Sequence, residues 1–268
     1  MEHLFDILHE DKELLVINKS AGLVCHPTKT DEYSSLIGRV RLYLGAQASL
    51  PASSRESLHP HLVNRLDRET SGVILVAKSA AVAGELGKIW ETRAVEKEYV
   101  AIVHGSIGED HGIIDAPLGK DVHSKVAIKD CVRADGAPAR TEYWLERQFS
   151  SDYSGFKVRR SRFEVPFSDS QPSTRDSQHF SLIRLRPYTG RKHQIRIHLA
   201  HICHPIVCDK LYGGDEDLYL ALVQNRLTDE QRARLLLPHH ALHASKLRFF
   251  WRGAERVFEA SNHSWTQL

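Results

Sequence analysis

The sequence predicts an α+β fold: a mixed, largely antiparallel sheet with flanking helices, in a single domain spanning residues 1–268. Segments with strand-like apolar patterning outnumber those with helical spacing. The connections between them are mostly short, which suits antiparallel neighbours better than long crossovers. At 268 residues, with 41% hydrophobic and 26% charged side chains, the chain is long enough and apolar enough for a substantial core.

The elements follow in order. Residues 5–8 and 14–19 read as two short strands around a turn at Asp11 and Lys12. Gly22 and Pro27 mark a loop. Between Ser34 and Leu44, the apolar residues Leu36, Ile37, Val40, Tyr43 and Leu44 recur near helical spacing, which predicts an amphipathic helix. Residues 46–60, rich in Ser and Pro, read as a loop. The apolar run 73–77 predicts a buried strand, and Ser79 is placed to cap a helix reaching about Arg93. Residues 99–103 form the next strand, ended by Gly105. Residues 115–128 read as a loop with one short strand, and Asp135-Gly136 as a turn into a half-buried strand at 139–145.

The polar stretch 150–178 carries Lys157, Arg159, Arg160 and Arg162 beside Phe163, Val165 and Phe167, and is expected to be a basic insertion. Strands at 180–186 and 191–197 surround a turn at Gly190; a helix reaching His201 is the alternative for the second. Residues 209–214 are a loop. Thr228 can cap a short helix that ends before Pro238, and strands at 242–250 and 256–260 close the sheet.

Composition narrows the function. No apolar run approaches the ~20 residues that span a bilayer. The first residues are acidic and unlike a signal peptide, so a cytoplasmic, non-membrane protein is expected. The four cysteines contain no CxxC pair, which argues against a disulfide framework. His198, His201, Cys203, His204 and Cys208 invite a metal reading, but their spacing matches no common zinc pattern; neither metal nor cofactor is expected. The formal net charge is only +2, yet residues 177–208 hold no Asp or Glu while carrying Arg184, Arg186, Arg191, Lys192 and Arg196. A local cationic stripe of this kind suits phosphate contact. A solvated charged face is the competing reading, and the apolar Leu182, Leu185, Ile195 and Ile197 among the charges weigh against it.

The densest chemistry lies at Asn64-Arg65-Leu66-Asp67-Arg68-Glu69-Thr70-Ser71-Gly72, directly before the buried run. A carboxylate beside guanidinium groups stays ionised at neutral pH. Asp67 can then be a base, a nucleophile or a metal ligand; an Arg–Asp–Arg salt-bridge cluster closing a loop is the structural alternative.

This stretch resembles the signature of the RluA-type family of RNA pseudouridine synthases. Three further segments resemble the same family in the same order: residues 96–105 around Tyr99, residues 186–198 with His193-Gln194-Ile195-Arg196, and Ala241-Leu242-His243-Ala244. The resemblance implies a single catalytic domain whose halves meet at a central cleft, with Asp67 as the catalytic carboxylate and Arg196 as its guanidinium partner. It also implies that Tyr99 stacks on the target base and that Leu242 floors the uracil pocket. Arg65 and Arg68 would touch phosphates of a strand with a flipped nucleotide, and Arg191, Lys192 and His193 would bind substrate within the basic stripe. The implied reaction is uridine isomerisation in structured RNA, transfer RNA or large-subunit ribosomal RNA, by a monomer without cofactor. With a strand expected from Phe5, no S4-type module is expected before it. Many family members have His where this chain has Asn64, which can hydrogen-bond but carries no charge. The alternative function is a non-catalytic RNA-binding or chaperone module in which Asp67 is structural.

Overall fold

The computed structural model describes residues 5–27, 34–48, 59–151, 178–233, 235–261 and 265. The chain divides into two compact units, Met1–Tyr99 with Leu242–Gln267, and Val100–Ala241.

In the first unit, β1 (Asp6–Glu10) and β2 (Leu14–Lys19) form an antiparallel hairpin, closed where Asp11 Oδ1 accepts the Glu13 and Leu14 amides. After α1 (Leu36–Gln47) and the short β3 (His61–Leu62) comes β4 (Ser71–Ala77), antiparallel to both β2 and β3. Alternation along these strands sorts the side chains onto two faces. Leu14, Val16, Val73 and Leu75 pack with Val82 and Leu86 of α2 (Ala80–Glu91), while Leu15, Ile17, Ile74 and Val76 pack with Leu36 and Val40 of α1. Both faces of β4 are therefore covered, which is why its sequence is continuously apolar rather than alternating. Each fully buried aliphatic side chain contributes about 1.5–3 kcal/mol of transfer free energy.

Ser35 caps α1 by accepting the Gly38 amide at 3.3 Å, and Ser79 caps α2 by accepting the Val82 amide at 3.4 Å. The chain leaves this unit through β5 (Glu96–His104), which crosses the division after Tyr99.

The second unit continues β5 and adds β6 (His111–Asp115), β7 (Leu118–Lys120), β8 (Asp130–Val132), β9 (Arg140–Ser151) and β10 (Gln178–Pro187). Its main strands lie in the order β5-β10-β9-β6, and β7 and β8 form a separate antiparallel ribbon. Pairing of β9 with β10 slips at Leu182/Ile183 and continues to Ser151 and Gln178, so the expected insertion, apart from these strand ends, lies outside the described residues. The unit also holds α3 (Gln194–His201), α4 (Glu216–Val223) and α5 (Asp229–Ala233). The chain then returns to the first unit with β11 (Leu242–Trp251) and β12 (Ala254–Glu259), an antiparallel pair.

Several expectations need correction. Of the two readings of the segment at 191–197 the strand fails and the helix holds: α3 begins at Gln194 and ends at His201. Its residues Gln194 to Leu199 are all buried, so the helix has no polar stripe to reveal its period. Helix α4, with Asp215 accepting the Asp217 amide at its N-terminus, was not expected, nor were β6 and β8. The short helix expected after Thr228 is present, and Thr228 caps it as expected through reciprocal bonds: Gln231 N to Thr228 Oγ1 and Thr228 N to Gln231 Oε1.

Candidate active site

Backbone bonds help to shape the Asp67 loop. The Thr70 amide donates to the Asp67 carbonyl at 3.2 Å, and the Gly22 amide donates to the Arg68 carbonyl at 2.8 Å. Leu66 is buried, Asp67 half-buried, and Arg65 and Arg68 exposed. Arg68 directs its Nε to the Gly22 carbonyl at 3.2 Å. Asn64 is a bracket for the strand that follows: its Nδ2 donates to the Val73 carbonyl at 3.1 Å and its Oδ1 accepts the Leu75 amide at 2.8 Å. Both hydrogen-bonding ends of the amide are used, and no charge is needed.

Lys19, which sequence reasoning missed, lies beneath this loop. It is 1% exposed, and its Nζ donates to the carbonyls of Ser20, Leu23 and Arg68 at 2.9, 2.8 and 3.1 Å. Burial lowers it to about 8, against the pull of Cys25 and Asp67 toward the charged form. The sequence signal was a lysine ending a largely apolar strand, which ordinarily marks a solvated strand end.

Tyr99 packs beside the cluster that contains Leu66, Ile17 and Ala244. Burial, and secondarily the Asp67 charge, push its hydroxyl well above the usual tyrosine range, so it stays protonated as a donor. Leu242 begins β11 and is buried. Next to it, His243 Nδ1 lies 2.8 Å from Ser71 Oγ and its Nε2 lies 2.9 Å from the Ala260 carbonyl.

In the second unit, Arg196 of α3 is buried and gripped by Asp209, Nε to Oδ2 at 2.7 Å and Nη2 to Oδ1 at 2.9 Å. The guanidinium carbon lies 5.0 Å from the Tyr212 ring centroid. His193, in the left-handed conformation at φ 55°, starts α3 and meets the Tyr212 hydroxyl through Nδ1 at 2.9 Å. Gln194 ties the preceding turn: Oε1 accepts from the Thr189 hydroxyl and the Arg191 amide, while Nε2 donates to the Arg140 carbonyl and to Thr141 Oγ1. His198 is fully buried, its two nitrogens facing Thr141 Oγ1 and the Ala116 carbonyl at 2.9 Å each, an arrangement that makes it structural. Among the described residues no group of His, Cys, Asp and Glu is placed to hold a metal ion.

The cationic stripe is free of acids in sequence but not in space. Glu146 meets Arg184 at 3.0 Å, Asp130 meets Lys192 at 2.9 Å, and Asp209 holds Arg196. Arg191, exposed, donates Nε to the Pro138 carbonyl at 3.3 Å. Arg184 stacks on Trp144 at 4.1 Å.

The model of the family described as RNA pseudouridylate synthase matches residues 13–201. The chain is 36% identical over 242 residues to "tRNA pseudouridine synthase C" of Haemophilus ducreyi, covering 89% of this chain and 84% of that protein. It is 30% identical over 208 residues to an uncharacterized RNA pseudouridine synthase of Aquifex aeolicus, covering 78% of this chain but 56% of that protein. It is 29% identical over 252 residues to "Ribosomal large subunit pseudouridine synthase D" of Yersinia pestis, covering 91% of this chain and 62% of that protein. Among solved structures, the human RNA Pseudouridylate Synthase Domain Containing 4 aligns with a TM-score of 0.64 at 25% identity, covering 96% of this chain and 88% of that chain. The human RNA Pseudouridylate Synthase Domain Containing 1 aligns at 0.66 and 21% identity, over 96% of this chain and 83% of that chain, a likeness of fold.

Proposed function

The chain belongs to the RNA pseudouridylate synthase family, and from that premise we propose that it isomerises specific uridines to pseudouridine in structured RNA, with Asp67 as the reacting carboxylate. The observation that carries this reading is the setting of Asp67: a half-buried carboxylate in a backbone-tied loop above the buried Lys19, with the Asp67 charge reaching the hydroxyl of Tyr99.

The reaction breaks the C1′–N1 bond, turns the uracil, and joins C1′ to C5; N1 takes up a proton and C5 releases one, so the product is an isomer and no redox partner is needed. Asp67 acts as nucleophile or as base toward the flipped nucleotide. The Tyr99 ring stacks on the base, and Leu242 provides apolar floor. Arg196, held rigid by Asp209, is the preorganised cation for the charge that develops, since a donor fixed beforehand costs no reorganisation in the transition state. Arg65 and Arg68 contact phosphates of the distorted strand, and Arg191, Lys192 and His193 contact flanking RNA.

Transfer RNA is the favoured substrate. The Haemophilus relative named for tRNA is matched at higher identity, and over more of its length, than the Yersinia relative named for ribosomal RNA. The reading carries with it a cytoplasmic monomer working without a cofactor.

Asp67→Asn, assayed by carbodiimide-dependent primer-extension stops alongside RNA affinity, tests the proposal. Modification should vanish while RNA binding persists. Modification at the wild-type rate would leave Asp67 structural and place the chemistry elsewhere, whereas RNA binding without modification by the wild type would favour the non-catalytic RNA-binding alternative. Mapping pseudouridines lost on deleting the gene identifies the target.

A further inference from the structure

We propose that Ser71 and His243 are a positioning pair for the Asp67 centre, a side-chain bond that holds the strand leaving the Asp67 loop against the strand that opens with Leu242. The inference rests on the reading of Asp67 given above.

The parallel contact between β4 and β11 pairs His243 with Ser71 and Ala244 with Gly72, and no further residues. Two backbone pairs make a short ladder, to which a side-chain bond adds. Gly72, at φ 115°, makes the approach possible: a Cβ there would lie 2.2 Å from the Ala244 carbonyl oxygen. The Ser71 Oγ–His243 Nδ1 bond of 2.8 Å spans the adjacent pair of the same ladder.

Chemistry assigns the protons. The Ala260 carbonyl only accepts, so His243 Nε2, 2.9 Å away, carries the hydrogen. In the neutral ring Nδ1 is then an acceptor, and the Ser71 hydroxyl must donate to it. That bond uses the one hydroxyl hydrogen and fixes the serine rotamer. His243 is 1% exposed, so water does not replace either bond.

One end of the pair follows the turn that Asp67 opens and the Thr70 amide closes, and the other follows Leu242. Loosening this rung displaces the carboxylate and the apolar floor together. A shift of that kind lowers turnover more than RNA affinity, because most phosphate contacts lie elsewhere.

Four variants of the full chain separate the two bonds. Ser71→Thr keeps the hydroxyl donor and Ser71→Ala removes it. His243→Asn keeps an acceptor near the Nδ1 position, whereas His243→Gln keeps only a donor near Nε2. Ser71→Ala and His243→Gln should lower kcat by about tenfold, a barrier rise of about 1.4 kcal/mol, with KM unchanged. Ser71→Thr and His243→Asn should retain most of the wild-type kcat. A wild-type kcat in Ser71→Ala, or equal losses in His243→Asn and His243→Gln, overturns the pair. Asp67→Asn assayed in parallel keeps the two readings apart. Its full activity would overturn both, whereas its inactivity beside an unimpaired Ser71→Ala would overturn the positioning pair alone.

Discussion

Asp209 grips one whole edge of the Arg196 guanidinium, with Nε–Oδ2 at 2.7 Å and Nη2–Oδ1 at 2.9 Å, and both side chains are buried. The same Oδ1 also accepts the amides of Leu211 and Tyr212 at 3.0 Å each. Although burial opposes ionisation, the Arg196 charge and these bonds outweigh it and hold the Asp209 carboxyl far below the usual carboxylate range. The pair is a bidentate clamp whose geometry Lys could not reproduce.

Asp209→Asn removes the charge while nearly preserving the volume. It removes one carboxylate of a buried bidentate pair, which should destabilise the protein by about 3–5 kcal/mol. If Arg196 is the preorganised cation, kcat should also fall by about 10²-fold, the scale of losing one fixed donor. Chemical denaturation and single-turnover modification measure the two effects separately. A folded variant with wild-type kcat would remove Arg196 from the chemistry. Acid should act through the same group: a carboxylate depressed in the folded state contributes stability above its unfolded value, near pH 4, that is lost as pH falls toward the folded value. The wild type should therefore lose stability on acidification more steeply than Asp209→Asn.

Lys19 gives the opposite pH signature. Its folded value of about 8 lies below its ordinary 10.5, so between those limits the unfolded chain binds more protons at this group than the folded one. Stability from this group then rises with pH across that window, and below it the burial penalty is at its full value. Lys19→Met should be less stable throughout, since three carbonyls lose their donor, but it should lack this rise. Melting temperatures of both proteins between pH 7.5 and 9.5 test the difference in slope, below the range where the raised Tyr99 and Tyr212 hydroxyls begin to act in the other direction. Parallel curves would show that Lys19 titrates alike in both states.

Asn64 should prove structural. Asn64→Asp removes the donor to the Val73 carbonyl and sets a carboxylate oxygen in its place, at a cost of about 1–3 kcal/mol. In Asn64→Ala, which adds no titratable group, the pH dependence of kcat should remain that of the wild type, because the amide has no titrating role. A changed profile would place this position in the proton chemistry.

What was legible in the sequence was local. The run Val73 to Ala77 betrayed a strand covered on both faces, and Ser79 announced the helix it caps, because each signal lies within a few residues of its effect. Asn64 could be recognised as a hydrogen-bonding spacer, since its partners Val73 and Leu75 are close in the chain. Helix α3 was obscured because it is buried all round, and burial erases the amphipathic period. Asp209 was passed over as a loop acid because its role depends on a partner 13 positions away across a turn. Lys19 was hidden for a similar reason: two of its three acceptors are local, but the loop that seals it, through the Arg68 carbonyl, is 49 residues distant.

The cationic stripe yields the last prediction, because its acid-free appearance in sequence does not survive in space. Lys192 is 2.9 Å from Asp130, so much of its charge is already answered within the protein. Arg191 donates to a neutral carbonyl and keeps its full charge toward solvent. If both face RNA, Arg191→Gln should reduce the slope of log K against log salt by about 0.7–0.9, the counterion release of one phosphate contact. Lys192→Gln should reduce it by less. Asp130→Asn, which leaves Lys192 uncompensated, should tighten RNA binding at low salt and steepen the slope. Titrations of the catalytically inert Asp67→Asn background across a salt series measure all three. Equal effects at Arg191 and Lys192 would mean that the ion pair with Asp130 opens when RNA binds, and no effect at either would take the stripe out of the interface.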